Sequence, residues 1–124
     1  MPNICIITGA AAGIGYALAK ACVARGDAVI MADIDALNVK KMADRLTGLG
    51  SGFARGVQLD VTCAADIEGV IKEAVAEYGK VDYFFNNAGV AVSGEVRDLE
   101  LEHWKKVIDV NLFGAINGCH AVYP

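Results

Sequence analysis

The chain has 124 residues, 55% of them hydrophobic, with a mean hydropathy of +0.40 and a formal net charge of −4. That length predicts one domain spanning 1–124, and an acidic balance with no basic run argues against nucleic acid as a partner. No apolar run approaches the roughly 20 residues of a membrane helix, and Met1-Pro2-Asn3 lacks the basic start of a signal peptide, so the reading is of buried strands in a cytoplasmic protein that meets no membrane.

Apolar runs alternate with helical patterns, the layout of a parallel sheet covered on both faces. A strand is expected over 3–8, followed by a helix over 13–25 with Ile14, Leu18, Ala21 and Cys22 on one side. Gly26-Asp27 closes that helix, a strand over 28–32 follows, and a helix over 34–49 ends in Gly50-Ser51-Gly52. Next come a strand over 53–59, a helix over 64–78, and a fourth strand over 81–86. A loop over 89–98 leads into a helical pattern from 100, with Leu101, Trp104, Val107 and Ile108 at helical spacing, continued by a more apolar helix over 112–123.

The chemistry concentrates first in Thr8-Gly9-Ala10-Ala11-Ala12-Gly13-Ile14-Gly15, directly after the apolar run Ile4-Cys5-Ile6-Ile7. A buried strand that breaks into a turn and then a helix aims free backbone N–H groups at one point, a site for the pyrophosphate of a dinucleotide. In that scheme Gly9 makes the sharp turn, Gly13 lets phosphates approach the backbone, and Gly15 lets helix and strand pack. A plain tight turn would not require three glycines.

The spacing here is G-x-x-x-G-x-G rather than G-x-G-x-x-G. With Thr8 in front, the segment resembles the cofactor loop of the short-chain dehydrogenase/reductase family. Ala32-Asp33-Ile34-Asp35, Leu59-Asp60-Val61-Thr62, Asn86-Asn87-Ala88-Gly89 and Asp109-Val110-Asn111 fit the same family in the same order. With right-handed crossovers, the resemblance implies a Rossmann-type, doubly wound α/β fold, cut off after about four strands in the order 3-2-1-4. It further implies an NAD-dependent oxidoreductase acting on alcohol or ketone substrates, as a homo-oligomer.

The resemblance assigns cofactor contacts to Thr8, Gly9, Ala11, Ala12, Gly13, Ile14 and Gly15. Asp33, 18 residues after Gly15, is placed to accept from the adenosine ribose hydroxyls and to repel a 2′-phosphate, with no Arg or Lys beside it. NAD over NADP follows. Asp33 can alternatively be read as a helix N-cap, a role Asp35 fills equally well. The family's Asp-Val pair at Asp60 and Val61 would contact adenine, although Asp60 could cap the next helix, with Thr62 better placed to do so. Asn87, Ala88 and Gly89 would lie against the nicotinamide-side ribose, and Asn86 would tie adjacent strands together.

Asn111 matches the asparagine of the family's Asn-Ser-Tyr-Lys catalytic set, whose backbone carbonyl is freed at a helix irregularity. Asn is a poor helix-interior residue, so a satisfied amide or a simple helix break is the other reading. The family's serine, tyrosine and lysine would all fall after residue 124, which leaves these residues as the cofactor-binding part, inactive alone. A non-catalytic nucleotide-binding or interaction module is the alternative. Tyr16 and Lys20 imitate the Tyr-x-x-x-Lys spacing but sit on the first helix, beyond the glycine loop, so Tyr16 is expected to pack and Lys20 to be solvated.

Ala11-Ala12 departs from the hydroxyl residues that many family members carry, a loss of about 0.5–1.5 kcal/mol for one hydrogen bond. Cys5, Cys22, Cys63 and Cys119 have no C-x-x-C spacing and read as reduced, mostly buried hydrophobes. His103 and His120 lack metal-ligand spacing and read as surface or packing residues, so no metal site is expected.

Overall fold

The computed structural model describes residues 2–123; Met1 and Pro124, the ends of the expected 1–124 domain, lie outside the described residues. The elements are β1 (Ile4–Thr8), α1 (Gly13–Arg25), β2 (Ala28–Asp33), α2 (Ala36–Leu46), β3 (Phe53–Gln58), α3 (Ala64–Tyr78) and β4 (Tyr83–Phe85). After a short 3-10 turn at Val96–Asp98 come α4 (Leu101–Ile108), a π-helical turn at Asp109–Phe113, and α5 (Gly114–Val122). The strands form one parallel sheet in the order β3-β2-β1-β4, as the motif order implies.

The register aligns the carboxyl ends. Thr8 pairs with Ala32, Asp33 with Gln58, and Ile7 with Phe85. The chain leaves β1 toward β2 on one side, while β4 lies on the other. The crevice where the order reverses, above β1, is where open α/β sheets bind ligands.

Strand alternation divides the core between two faces. Cys5, Ile7, Val29 and Met31 join Ala19, Cys22 and Val23 of α1 and Val39, Ala43 and Leu46 of α2. Ile6 and Ile30 meet Ala74, with Val70 and Ile71 of α3 packed alongside. β1 is buried throughout, as a central parallel strand should be.

The face of α1 differs from the expected one. Gly15, Ala19, Cys22 and Val23 are buried, whereas Ile14 is 79% exposed and Ala21 also faces solvent. Small residues let this helix lie close on β1, and the buried stripe turns by one position to present them.

Element boundaries also move, by a residue or more at several ends. β2 runs to Asp33, because Asp33 stays in register with Gln58. α2 stops at Leu46, where Thr47 turns extended (ψ 122°) and its hydroxyl bonds the carbonyls of Ala43 and Ala54. β4 keeps three residues, since only Cys5, Ile6 and Ile7 pair with it and Asn87 N–H already turns back onto the Phe85 carbonyl.

Asp35 caps α2 by accepting the Asn38 N–H at 3.1 Å, which leaves Asp33 free of that role. His103 closes a capping box at α4, its Nδ1 accepting the Glu100 N–H at 3.0 Å. Among the described residues no helix is long and apolar enough to cross a membrane.

Candidate cofactor site

The glycine loop is built against the segment after β4. Gly9 has φ +64° and a side chain there would lie 2.8 Å from the Ala88 Cα, so both turn and contact demand glycine. Asn87 Nδ2 donates to the carbonyls of Thr8 at 3.1 Å and Gly9 at 3.2 Å. A side chain at Gly15 would collide with the Gly9 carbonyl and sit 2.5 Å from that same Asn87 nitrogen. Gly15 therefore packs the helix onto the loop, and Asn87, not Asn86, ties the two strand ends together. Asn86 instead sends its Nδ2 toward the Cys119 sulfur at 3.5 Å, because it faces α5.

Thr8 works from underneath. It is 1% exposed, its hydroxyl donates to the Phe85 carbonyl at 3.3 Å, and it accepts the N–H groups of Asn87 and Ala88, each at 3.0 Å. Its capacity is spent on the protein, and it does not line the cleft. Ala11 is likewise buried and absent from the lining, with its N–H given to the Asp33 Oδ2 at 3.0 Å. Both expected ligand contacts are corrected to supports of the loop.

Gly15 is also buried and outside the lining, where it packs the helix onto the loop; the remaining expected positions converge. A cleft of about 640 Å³ at the carboxyl ends of the strands is lined by Gly9, Ala12, Gly13, Ile14, Asp33, Asp60, Val61, Asn87, Ala88 and Gly89. Its volume is in the range of small-molecule sites. Two observations bear on whether it suits a dinucleotide. The N-cap of α1 is Ala12, which supplies no side-chain bond, so the first-turn N–H groups keep their capacity for an anion. Gly13 has φ +58°, and a side chain there would meet nothing within 4 Å, so the space over the helix start is open.

Asp33 stands at the far side of this opening. Its Oδ1 accepts the Asp35 N–H at 3.1 Å and its Oδ2 the Ala11 N–H, which holds the carboxylate in place with lone pairs to spare. Asp60 Oδ1 accepts both the N–H (2.9 Å) and the hydroxyl (2.6 Å) of Thr62. The N-cap of α3 is Cys63, without a side-chain bond, so neither Asp60 nor Thr62 caps that helix. Val61 is pressed by α5: its carbonyl accepts Asn117 Nδ2 at 2.9 Å, and a side chain at Gly114 would lie 2.8 Å from its Cγ2.

Asn111 lies in the π-helical turn, where the Gly114 N–H reaches back five residues to the Asp109 carbonyl. An irregularity at this asparagine was the expectation. Its side chain does not line the cleft; it pairs twice with the Val90 backbone, accepting the N–H at 2.7 Å and donating to the carbonyl at 2.8 Å. The amide thus fastens the loop after β4 to the helix.

Leu59, Ile34, Val90, Lys106 and Val110 also line the cleft and were not among the expected contacts. Helical spacing from Val110 back to Lys106 was the available signal. Tyr16 packs against the core and Lys20 is exposed, and neither reaches the cleft.

At the opposite end of the sheet Cys5, Cys22 and Asp27 bring their ligand atoms within 4.8 Å of one another, a grouping that spacing along the chain did not reveal. Cys5 Sγ–H points to Asp27 Oδ2 at 3.7 Å, and Arg25 Nε donates to the same oxygen at 2.8 Å. Burial, with Cys22 and Asp27 adding to it, pushes the Cys5 thiol up to about 12, so it stays protonated there.

Residues 3–124 match the family model described as short chain dehydrogenase. The chain is 34% identical over 120 residues to D-threitol dehydrogenase of Mycolicibacterium smegmatis, covering 97% of this chain and 46% of that one. A short-chain dehydrogenase/reductase from Burkholderia phymatum, solved in complex with NAD, superposes with TM-score 0.91 at 31% identity, covering 97% of this chain and 42% of that one. An alcohol dehydrogenase from the archaeon Thermococcus sibiricus, complexed with 5-hydroxy-NADP, gives TM-score 0.91 at 29% identity, covering 98% and 52%. The chain thus spans about half the length of these relatives.

Proposed function

The chain belongs to the short-chain dehydrogenase family, and from that premise we propose that it is the cofactor-binding part of an oxidoreductase that takes NAD in preference to NADP and acts on alcohol or ketone substrates. The observation that carries this is one cleft holding the uncapped start of α1 over Gly13 and, across from it, the anchored carboxylate of Asp33. The first-turn amides and the positive end of the helix dipole suit a pyrophosphate. Asp33 suits a ribose diol and repels a 2′-phosphate.

When bound, the nicotinamide would exchange a hydride with substrate. The chain's residues bind and orient it: Asp60 and Val61 at the base, and Asn87, Ala88 and Gly89 along the inner ribose. Asn111 holds the loop after β4 through Val90. Proton transfer needs a phenol made acidic by a lysine. Tyr16 with Lys20 is turned away from the cleft, so we place the serine, tyrosine and lysine of the reaction outside these 124 residues. Leu112, Phe113 and Ile116, each about half exposed, fit a protein that works as an oligomer, and we place it in the cytoplasm.

Calorimetric titration of the 124-residue chain with NAD, NADH and NADP tests the reading, together with an NADH-formation assay over a panel of secondary alcohols. Binding of NAD ahead of NADP without turnover is expected. Tighter binding of NADP overturns the cofactor preference, and turnover at ordinary enzyme rates overturns the division of labour.

A further inference from the structure

Three side chains meet at the amino ends of the strands, away from the cofactor cleft. Cys5 on β1, Cys22 in the last turn of α1 and Asp27 just ahead of β2 bring two sulfurs and a carboxylate oxygen within 4.8 Å of one another. They are 0, 5 and 3% exposed, a depth at which a carboxylate is rare without partners. The backbone builds the grouping in advance. Gly26, at φ +98°, turns the chain back at the end of α1, and the Asp27 N–H bonds the Cys22 carbonyl at 3.0 Å. Cys5 is fixed in register opposite Val29 of β2.

The spacing suits a tetrahedral ion. Metal–sulfur bonds of about 2.3 Å and metal–oxygen bonds of about 2.0–2.2 Å put a sulfur and an oxygen ligand roughly 3.5–3.7 Å apart. Cys5 Sγ and Asp27 Oδ2 are 3.7 Å apart. The charges also close. Two thiolates and a carboxylate carry three negative charges, a divalent ion supplies two positive ones, and Arg25, donating Nε to Asp27 Oδ2 at 2.8 Å, supplies the third. A neutral group offsets the cost of burying its members. Thiolates select thiophilic ions over magnesium and calcium. Asp27 and Arg25 also line a shallow cleft of about 530 Å³ with Asn3, Gly26 and Ser51, which gives an ion a way in and leaves room for water.

We infer that Cys5, Cys22 and Asp27 form a binding site for a thiophilic divalent cation, zinc above all, with water from the cleft as the fourth ligand. Binding is a proton exchange. Zn²⁺ enters, the two thiols each release one proton to solvent, and two Zn–S bonds and one Zn–O bond form with no change of oxidation state. Without the ion, burial holds both thiols protonated; a coordinated thiol is deprotonated outright. The ion ties α1 to the starts of β1 and β2, so its binding stabilises the folded chain.

The test begins with the double variant Cys63→Ser/Cys119→Ser, in which only Cys5 and Cys22 can supply sulfur. Cys63 is half-buried and Cys119 exposed, so the fold should persist. Equilibrium dialysis with Zn²⁺ and optical titration with Co²⁺ are run on this chain in reduced form and on the same chain carrying Cys22→Ala, with circular dichroism as the check of folding. One ion per chain, sulfur-to-cobalt charge-transfer absorption and a higher urea midpoint with Zn²⁺ are expected of the double variant. Cys22→Ala should weaken zinc binding by at least about 100-fold, since losing a residue that merely supports a ligand can cost that much. Should Cys22→Ala fail to fold, the Co²⁺ spectrum of the double variant decides: charge-transfer absorption supports the site and its absence overturns it. Equal zinc affinity in a folded Cys22→Ala chain overturns the inference and locates the ion on carboxylates or histidines elsewhere. A double variant that takes up no zinc overturns it as well.

Discussion

The carboxylate of Asp33 accepts the backbone N–H of Ala11 at 3.0 Å, joining the end of β2 to the glycine loop. One side chain thus shapes the loop over the phosphate position and also faces the ribose position. The Asn38 Nδ2 approaches the Ala11 carbonyl at 3.5 Å, so both polar groups of this alanine are engaged, the N–H from the end of β2 and the carbonyl from the start of α2.

Replacing Asp33 should therefore do more than remove one ligand contact. Asp33→Ala is expected to cost roughly 1.5–3 kcal/mol of NAD affinity, as for a charged hydrogen bond, and to narrow the preference over NADP. Asp33→Asn keeps an acceptor for the Ala11 N–H and should lose less. Calorimetry with both cofactors checks this; an Asp33→Ala chain that binds NAD as tightly as the wild type refutes it.

Gly13→Val places a branched side chain in the open space over the α1 start. Nucleotide binding should be largely lost, while the helical circular dichroism is largely kept. The positive φ of +58° adds a stability cost of about 1–2 kcal/mol, measurable by urea unfolding. Undiminished affinity in the folded variant would reduce the loop to a turn.

Thr8→Val removes the hydroxyl that serves Phe85, Asn87 and Ala88 while keeping the shape. Two N–H groups then lose their acceptor at a buried position, and a loss of about 1–3 kcal/mol in unfolding free energy is expected. A midpoint in urea equal to that of the wild type would show that water or a local shift satisfies them.

Asn111→Ala breaks both bonds to Val90. Amide hydrogen exchange at Val90 should quicken, with slow exchange retained at buried Ile6 and Ile30. Unaltered exchange at Val90 would mean that the loop after β4 is held by other contacts.

Cys5 sets a pH dependence. Its thiol keeps its proton to about 12 in the folded chain, against 9.0 ordinarily. Above about pH 9 the unfolded chain releases this proton while the folded chain holds it, so the folded state binds more protons and stability falls as pH rises. The contribution is complete below pH 9 and lost between 9 and 12. Cys5→Ser should flatten the alkaline limb of the stability profile, and an unaltered limb in that variant would assign the effect elsewhere.

Local patterns carried much of this molecule. A buried apolar run followed by G-x-x-x-G-x-G is a contiguous signal for strand, turn and helix. Asp33 could be placed because a residue just past a buried strand sits at the sheet's carboxyl edge. Asn111 was legible as an irregularity because an asparagine between Val110 and Leu112 is out of place in a helix. Each inference needs only neighbours in the chain and one periodicity.

What the chain order could not supply is which side chains meet across elements. Asn87 rather than Asn86 binds the loop because the turn after β4 points one toward Gly9 and the other toward α5. Thr8 and Ala11 turn inward because the sheet beneath them leaves Phe85, Ala88 and Asp33 as unpaired partners. Lys106 joins the cleft lining only through the placement of α4 in space, and Cys5 meets Cys22 and Asp27 only because α1 lies on β1. Such contacts depend on the packing angle and register of distant segments, which a one-dimensional pattern leaves open and the tertiary structure decides.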